Sequence, residues 1–253
     1  MTKKRFEAGS EMHFTAHLGE LRSRLIRSLI AVVLGFGLCY AFSQRLLEFL
    51  WRPMGRELVF IAPTEAFFAH LKVAFLAGLV LAWPYICYEV WSFVAPGLYE
   101  SERRYTLPFV IGATAMFLLG GTFVYTLILP YGMAFLLGYG GAFLVPMISV
   151  GAYVSFSLRL FIAFGAMFEL PLVIVLLSKI GLVTPQMLSK NRKYVIVLSF
   201  VVAAVLTPPD VFTQMLMAVP LLALFEISIV LCRFTAPKAP AEVEDDAHQA
   251  AGS

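Results

Sequence analysis

The stretch YVIVLSFVVAAVLTPPD, Tyr194–Asp210, holds an apolar run, Tyr194–Leu206, that stops at a Thr-Pro-Pro-Asp turn. As a helix that run is only about 20 Å long, against about 30 Å of hydrocarbon in an ordinary bilayer. If it crosses, the protein has an even number of spans and both ends lie on one side; if it does not, the ends are separated. The charges of the remaining chain decide between these.

Five other apolar blocks, Leu25–Phe42, Leu71–Trp91, Leu107–Leu129, Tyr153–Leu177 and Val211–Leu231, approach or exceed the ~18–20 residues that span a bilayer. The 253-residue chain is 60% hydrophobic and 14% charged, with a mean hydropathy of +0.84. That is too little charge to coat a soluble surface. The sequence therefore predicts an all-α, multi-pass membrane protein. Leu25–Phe42 reads as an uncleaved first span, because its basic leader is long and more spans follow. Cys39, Cys87 and Cys232 lie in or beside apolar blocks without CxxC spacing, and read as small buried hydrophobes.

With six spans placed, fourteen Lys and Arg fall on the side of the termini, among them Lys3, Arg22, Arg24, Arg27, Arg103, Arg104, Lys179, Lys190, Arg192 and Arg233. Only Arg45, Arg52 and Arg56 fall opposite, while Lys72 and Arg159 sit near the outer ends of spans two and four. The asymmetry predicts that Tyr194–Leu206 crosses and that both termini are cytoplasmic, the last two spans being short. A short hairpin of that kind is expected to thin the bilayer locally or to hide behind a partner. The expected organisation is a cytoplasmic segment over residues 1–24 with an interfacial helix, a six-helix membrane domain over 25–232, and a disordered acidic tail over 233–253.

Turn chemistry marks several ends. Thr64 is a candidate N-cap of span two, with Glu65 in its first turn. Thr184-Pro185 opens a short helix, and Thr207-Pro208-Pro209-Asp210 makes a tight turn with Asp210 placed to cap the last span. Gln214, one turn on, can bond helices or the turn. The Gly-rich segment Pro130–Ala152 reads as an external cap.

Membrane-depth acids ask for a reason, since each costs at least about 2.5–3.5 kcal/mol on insertion scales. Glu169, in GAMFELPLV, has no local partner, and Pro171 predicts a kink that frees a carbonyl beside it. The alternatives are a protonated acid bonded to a neighbouring helix, or a polar docking point on a wetted wall. Glu226 is the other deep acid, with packing and function evenly matched. Glu89 is expected to snorkel to the interface, and Glu20 reads as a surface partner of Arg24 at i+4.

Taken in order, HLGELRSRL, IAPTEAFFAHLKVAF, PYICYEVWSFVAPGLYESERR, FIAFGAMFELPLVIVLL and KYVIVLSFVVAAVLTPPDVFTQMLMAVPLLALFEI resemble the TatC family over residues 13–234. That family is the multi-spanning receptor subunit of the twin-arginine protein translocase. The resemblance implies binding of twin-arginine signal peptides of folded cargo and assembly with the single-span subunits TatA and TatB. It also implies export driven by the proton-motive force from the bacterial inner membrane, in a multi-copy complex. It implies that Glu20 and Glu102 are signal-binding carboxylates with Phe93 on the same surface. By the same resemblance Glu169 faces a concave surface where partner helices dock, and Pro63, Asp210 and Gln214 shape the external caps. A planar guanidinium forks onto a carboxylate, so two arginines suit two separately placed acids.

A solute transporter would be expected to show repeats and several converging membrane-depth polar groups, and neither is seen in the sequence. An enzyme is not expected either: His13, His17, His70 and His248 form no ligand-spaced pair and no GxSxG occurs. No cofactor or metal is expected.

Overall fold

Inside hydrocarbon every backbone N–H and C=O must find a partner within the protein, so long apolar runs become helices. The computed structural model describes residues 3–94, 106–140, 145–179, 181–207 and 210–235, with side chains between Leu18 and Phe234. Helix α1 (Lys3–Tyr40) is followed by α2 (Ser43–Trp51) and α3 (Pro63–Val94). Then come α4 (Thr106–Phe123), a π-helical segment (Val124–Ile128) and α5 (Leu129–Gly138). Helices α6 (Val150–Phe168), α7 (Leu170–Lys179), α8 (Pro185–Lys190), α9 (Arg192–Leu206) and α10 (Val211–Thr235) complete the described fold. Glu102 and the tail beyond Thr235 lie outside the described residues.

Five helical runs are long and apolar enough to cross a membrane: Leu18–Tyr40, Pro63–Val94, Thr106–Gly138, Val150–Lys179 and Val211–Phe234. The protein is thus a multi-pass, helical membrane protein. Helix α9, with 15 residues, is about 22 Å long. The interfacial helix expected at the N-terminus and the first span form one unbroken helix, α1.

Helix α3 is the hub: it packs on α1, α4 and α6, while α10 packs on α7 and α9. The main core gathers Ala69 and Val73 of α3, Val124 and Ile128, and Tyr153, Val154, Leu160 and Phe164 of α6. Contacts between helices are close where glycine permits. A Cβ on Gly35 would lie 2.7 Å from the Gly78 carbonyl oxygen, and one on Gly78 would lie 2.4 Å from the Phe36 nitrogen. The α1–α3 crossing therefore depends on the absence of a side chain at both places.

Two expectations about helix ends change. The segment Pro130–Ala152 is not wholly a cap: its first nine residues continue the third span as α5. Pro130 has no N–H to give the carbonyl four residues back, and the chain absorbs this by widening to π geometry over Val124–Ile128, so that Leu129 N–H bonds Val124 O. Thr64 is not a cap either, because α3 already begins at Pro63. The Glu65 carboxylate instead turns back onto the approach to the helix, accepting from Ile61 N–H at 2.9 Å and from the Ser149 hydroxyl at 2.8 Å. Ser149 in turn caps α6 through Ala152 N–H, and Val59 bridges to Ser149 beside it. One short network thus ties the starts of α3 and α6 together.

The hairpin of α9 and α10 is closed as its sequence predicts. Asp210 accepts from Thr213 N–H at 2.7 Å and from the Thr213 hydroxyl, and Gln214 Nε2 donates to the Phe200 carbonyl at 3.0 Å. Thr184 caps α8 through Met187 N–H at 3.2 Å. Asp210→Ala is expected to lower the unfolding free energy by about 1 kcal/mol, measurable by denaturation in nanodiscs.

Candidate functional site

The register of α1 against α3 follows from the glycine crossing. Arg24 precedes Gly35 by eleven residues, and Glu89 follows Gly78 by eleven. Eleven residues are about three helical turns, so each charged residue lies on the same face as its glycine and about 16 Å along the axis. Two antiparallel helices crossing at those glycines must therefore bring Arg24 opposite Glu89. Arg24 Nη1 lies 3.0 Å from Glu89 Oε2.

Around this contact the side chains form an ion cluster. Arg24 forks onto Glu20, giving Nε–H at 3.0 Å and Nη2–H at 2.6 Å to the same oxygen. Tyr85 O–H donates to Glu89 Oε1 at 2.7 Å, and Arg27 stands 3.8 Å from that oxygen. Exposure is graded: the Glu89 side chain is 3% accessible and Arg24 20%, while Glu20 is 38% and Arg27 57%. The cluster thus has a buried acid at its root, a guanidinium in the middle and a more exposed carboxylate at its outer end. Phe93, one turn beyond Glu89, is partly buried at the end of the described part of α3.

The expectation that Glu89 snorkels is overturned. A snorkelling acid needs an outward path, and this one points at α1, where Arg24 donates one hydrogen bond and Arg27 adds a second cation, while Tyr85 of its own helix donates another bond in place of water. Glu20 pairs with Arg24 at i+4 as its spacing predicts, yet the pair is the outer half of a longer chain of charges.

Glu169 occupies the break between α6 and α7. Pro171 lacks the N–H that would serve Met167 O, and Glu169 N–H points to that carbonyl and to Ala166 O. The Glu169 carboxylate is only partly buried and accepts from Trp83 Nε1 at 3.1 Å. Trp83 is itself stacked on Phe117, with centroids 3.8 Å apart. A polar group from another helix thus offsets part of the cost of this acid, and its partner comes from 86 residues away.

Glu226 is not deep in the bundle. It pairs with Arg192 at 2.8 Å, both side chains about half exposed, because Arg192 opens the short helix α9 and reaches across to α10. Pro63 starts α3, and Asp210 and Gln214 close the α9–α10 turn, so these three lie at helix ends or hairpin turns rather than in either polar cluster. Glu20 and Glu89 are joined through Arg24 at one end of the α1–α3 pair, with Phe93 one turn beyond Glu89 on α3; Glu169 forms a separate centre. Lys72 does not simply snorkel: its ammonium donates to the Ser155 hydroxyl at 2.7 Å. Among the described residues no group of three or more His, Cys, Asp or Glu could hold a metal ion.

Arg24, Tyr85, Trp83 and Glu89 were not singled out by sequence as site residues. The eleven-residue glycine-to-charge spacings on α1 and α3 point to the Arg24–Glu89 pair only once the glycine crossing is known.

The family described as Sec-independent protein translocase protein (TatC) matches residues 16–220. A Sec-independent protein translocase protein TatC of Desulforapulum autotrophicum is 44% identical over 240 residues, covering 92% of this chain and 89% of that one. One of the same name from Aquifex aeolicus is 43% identical over 234 residues, covering 90% and 97%. A crystal structure described as the twin-arginine translocase receptor TatC superposes with a TM-score of 0.79 at 42% identity, covering 87% of this chain and 99% of that chain. These proteins are components of a protein translocase and not enzymes. On the family match, the extent of the relatives and the shared fold, this chain belongs to the TatC family of Sec-independent protein translocase proteins.

Proposed function

We propose that this protein binds twin-arginine signal peptides of folded cargo at the Glu20 end of the ion cluster and organises TatA and TatB for export driven by the proton-motive force. The observation that carries the reading is Glu20 itself. It is a partly exposed carboxylate already holding an arginine through two N–H groups on one oxygen, at 2.6 Å and 3.0 Å, which supports its use as an acceptor for a guanidinium. Glu102 is proposed as the second carboxylate and Phe93 as the apolar neighbour of the signal. The basic residues near Arg24, Arg27, Lys179 and Arg192 favour placing this end in the cytoplasm, with α9 crossing as a short sixth span of a bacterial inner-membrane protein. Under this reading Glu169, bonded to Trp83 and only partly buried, is the docking point for partner helices. Glu226 with Arg192 marks the edge of the hairpin.

The test is binding of a fluorescent twin-arginine peptide to the purified protein in nanodiscs. Glu20→Ala, Glu102→Ala and a twin-lysine peptide are each expected to raise Kd tenfold or more, about 1.4 kcal/mol. Equal binding in all combinations would return both acids to the surface.

A further inference from the structure

We infer that Glu89 is a positioning residue for signal recognition: it keeps Arg24 paired when an incoming arginine takes Glu20. The inference rests on the reading of Glu20 just given, and concerns what must happen to the residue already bound there.

Arg24 commits two N–H groups to Glu20 and a third to Glu89. A signal guanidinium that forks onto Glu20 meets a carboxylate with a resident cation. If Arg24 had no other anion, binding would break one ion pair to make another and leave a partly buried guanidinium uncompensated, which is unfavourable. Glu89 changes that balance. Its carboxylate is 3% accessible, 3.0 Å from Arg24 Nη1, and fixed by the Tyr85 hydroxyl at 2.7 Å. It cannot follow the signal outward, and it keeps Arg24 as the outer bonds are exchanged. The exchange then conserves the ion pairs: Arg24 retains Glu89, and the signal arginine gains Glu20. Arg27, 3.8 Å from the other Glu89 oxygen and 57% exposed, supplies a second cation to the same anchor, so Glu89 stays compensated throughout.

The arrangement also bears on specificity. To displace a forked arginine from Glu20, the competitor must offer an equivalent fork. A lysine offers a point charge and recovers fewer of the directed bonds that Arg24 gives up. The resident arginine therefore sets a threshold that arginine meets and lysine does not.

The experiment uses the full-length protein in nanodiscs with fluorescent twin-arginine and twin-lysine peptides. Glu89→Gln keeps the shape and an acceptor for Tyr85 but removes the charge. It is expected to raise Kd for the twin-arginine peptide about tenfold, although Glu20 is intact. Adding Arg24→Gln to Glu89→Gln removes the stranded cation, and is expected to restore the affinity to within about threefold of the wild type. The double variant is also expected to narrow the gap between the arginine and lysine peptides. A merely structural Glu89 would shift the arginine and lysine peptides alike and leave the gap between them unchanged. Wild-type affinity in Glu89→Gln, or a double variant no better than the single one, overturns the inference while leaving Glu20 in place. If Glu20→Gln itself binds normally, the reading of the site fails and the inference falls with it. Thermal unfolding of each variant separates misfolding from weakened binding. If Glu89→Gln proves unfolded, the Tyr85→Phe variant, which frees the anchor from one side, is expected to raise Kd two- to threefold, and an unchanged Kd there overturns the inference.

Discussion

Gly78→Leu is expected to destabilise the protein by about 3 kcal/mol or more and to separate α1 from α3. The reason is not the size of leucine alone. Even the first carbon of any side chain at Gly78 would lie 2.4 Å from the Phe36 nitrogen and 2.7 Å from the Phe36 Cα, both backbone atoms of α1. A flexible side chain could turn aside; a helix backbone must move as a body. Because the register of the ion cluster is set from this crossing, the same substitution should pull Arg24 from Glu89 some 16 Å away along the helix. Denaturation in nanodiscs measures the stability, and a cysteine pair introduced across α1 and α3 reports the separation. Gly37→Leu is the control: that glycine is on α1 with nothing within 4 Å of its Cβ position, and little change is expected there.

Arg24→Ala has the second large effect. It leaves Glu89, 3% accessible, without its nearest cation, and breaking a buried pair from one side costs about 3 kcal/mol. Arg27 stays at 3.8 Å, which keeps the loss toward the low end. Removing both charges, with Glu89→Gln and Arg24→Ala together, is expected to recover most of that stability, since no ion is then left buried alone. A double-mutant cycle in the same denaturation assay checks it. If the single and double variants unfold alike, Glu89 is solvated and the cluster is a surface feature.

How much of this could be read beforehand depended on distance along the chain. The spans were legible because a run of some twenty apolar residues is a local signal, as were the Thr184 and Asp210 caps, whose partners lie three residues on. The break at Glu169 could be anticipated from Pro171. What could not be anticipated were partners from other helices. Glu89 looked like an interfacial acid because its cation lies 65 residues away, and Glu169 looked solitary because Trp83 lies 86 residues away. Gly35 and Gly78 each sit in a run of apolar residues where any glycine looks alike. From the sequence Pro130 marks the end of a span, since proline usually ends a helix; here the chain accommodates it by a change of helical pitch.

That accommodation sets an angular phase. The wider turn at Val124–Ile128 fits one more residue than an α-helix would, and one residue is about 100° of rotation. Everything beyond it is turned by that amount relative to α4. The rotated part presents Leu129, Gly132 and Met133 to the interior and lays Phe135 against Phe212 of α10, with ring centroids 4.0 Å apart. The upper part of this helix is thus indexed independently of its shaft. A chain one residue shorter here would keep its length and hydropathy almost unchanged, yet aim Phe135 a quarter-turn away from the Phe212 ring at the start of the last helix.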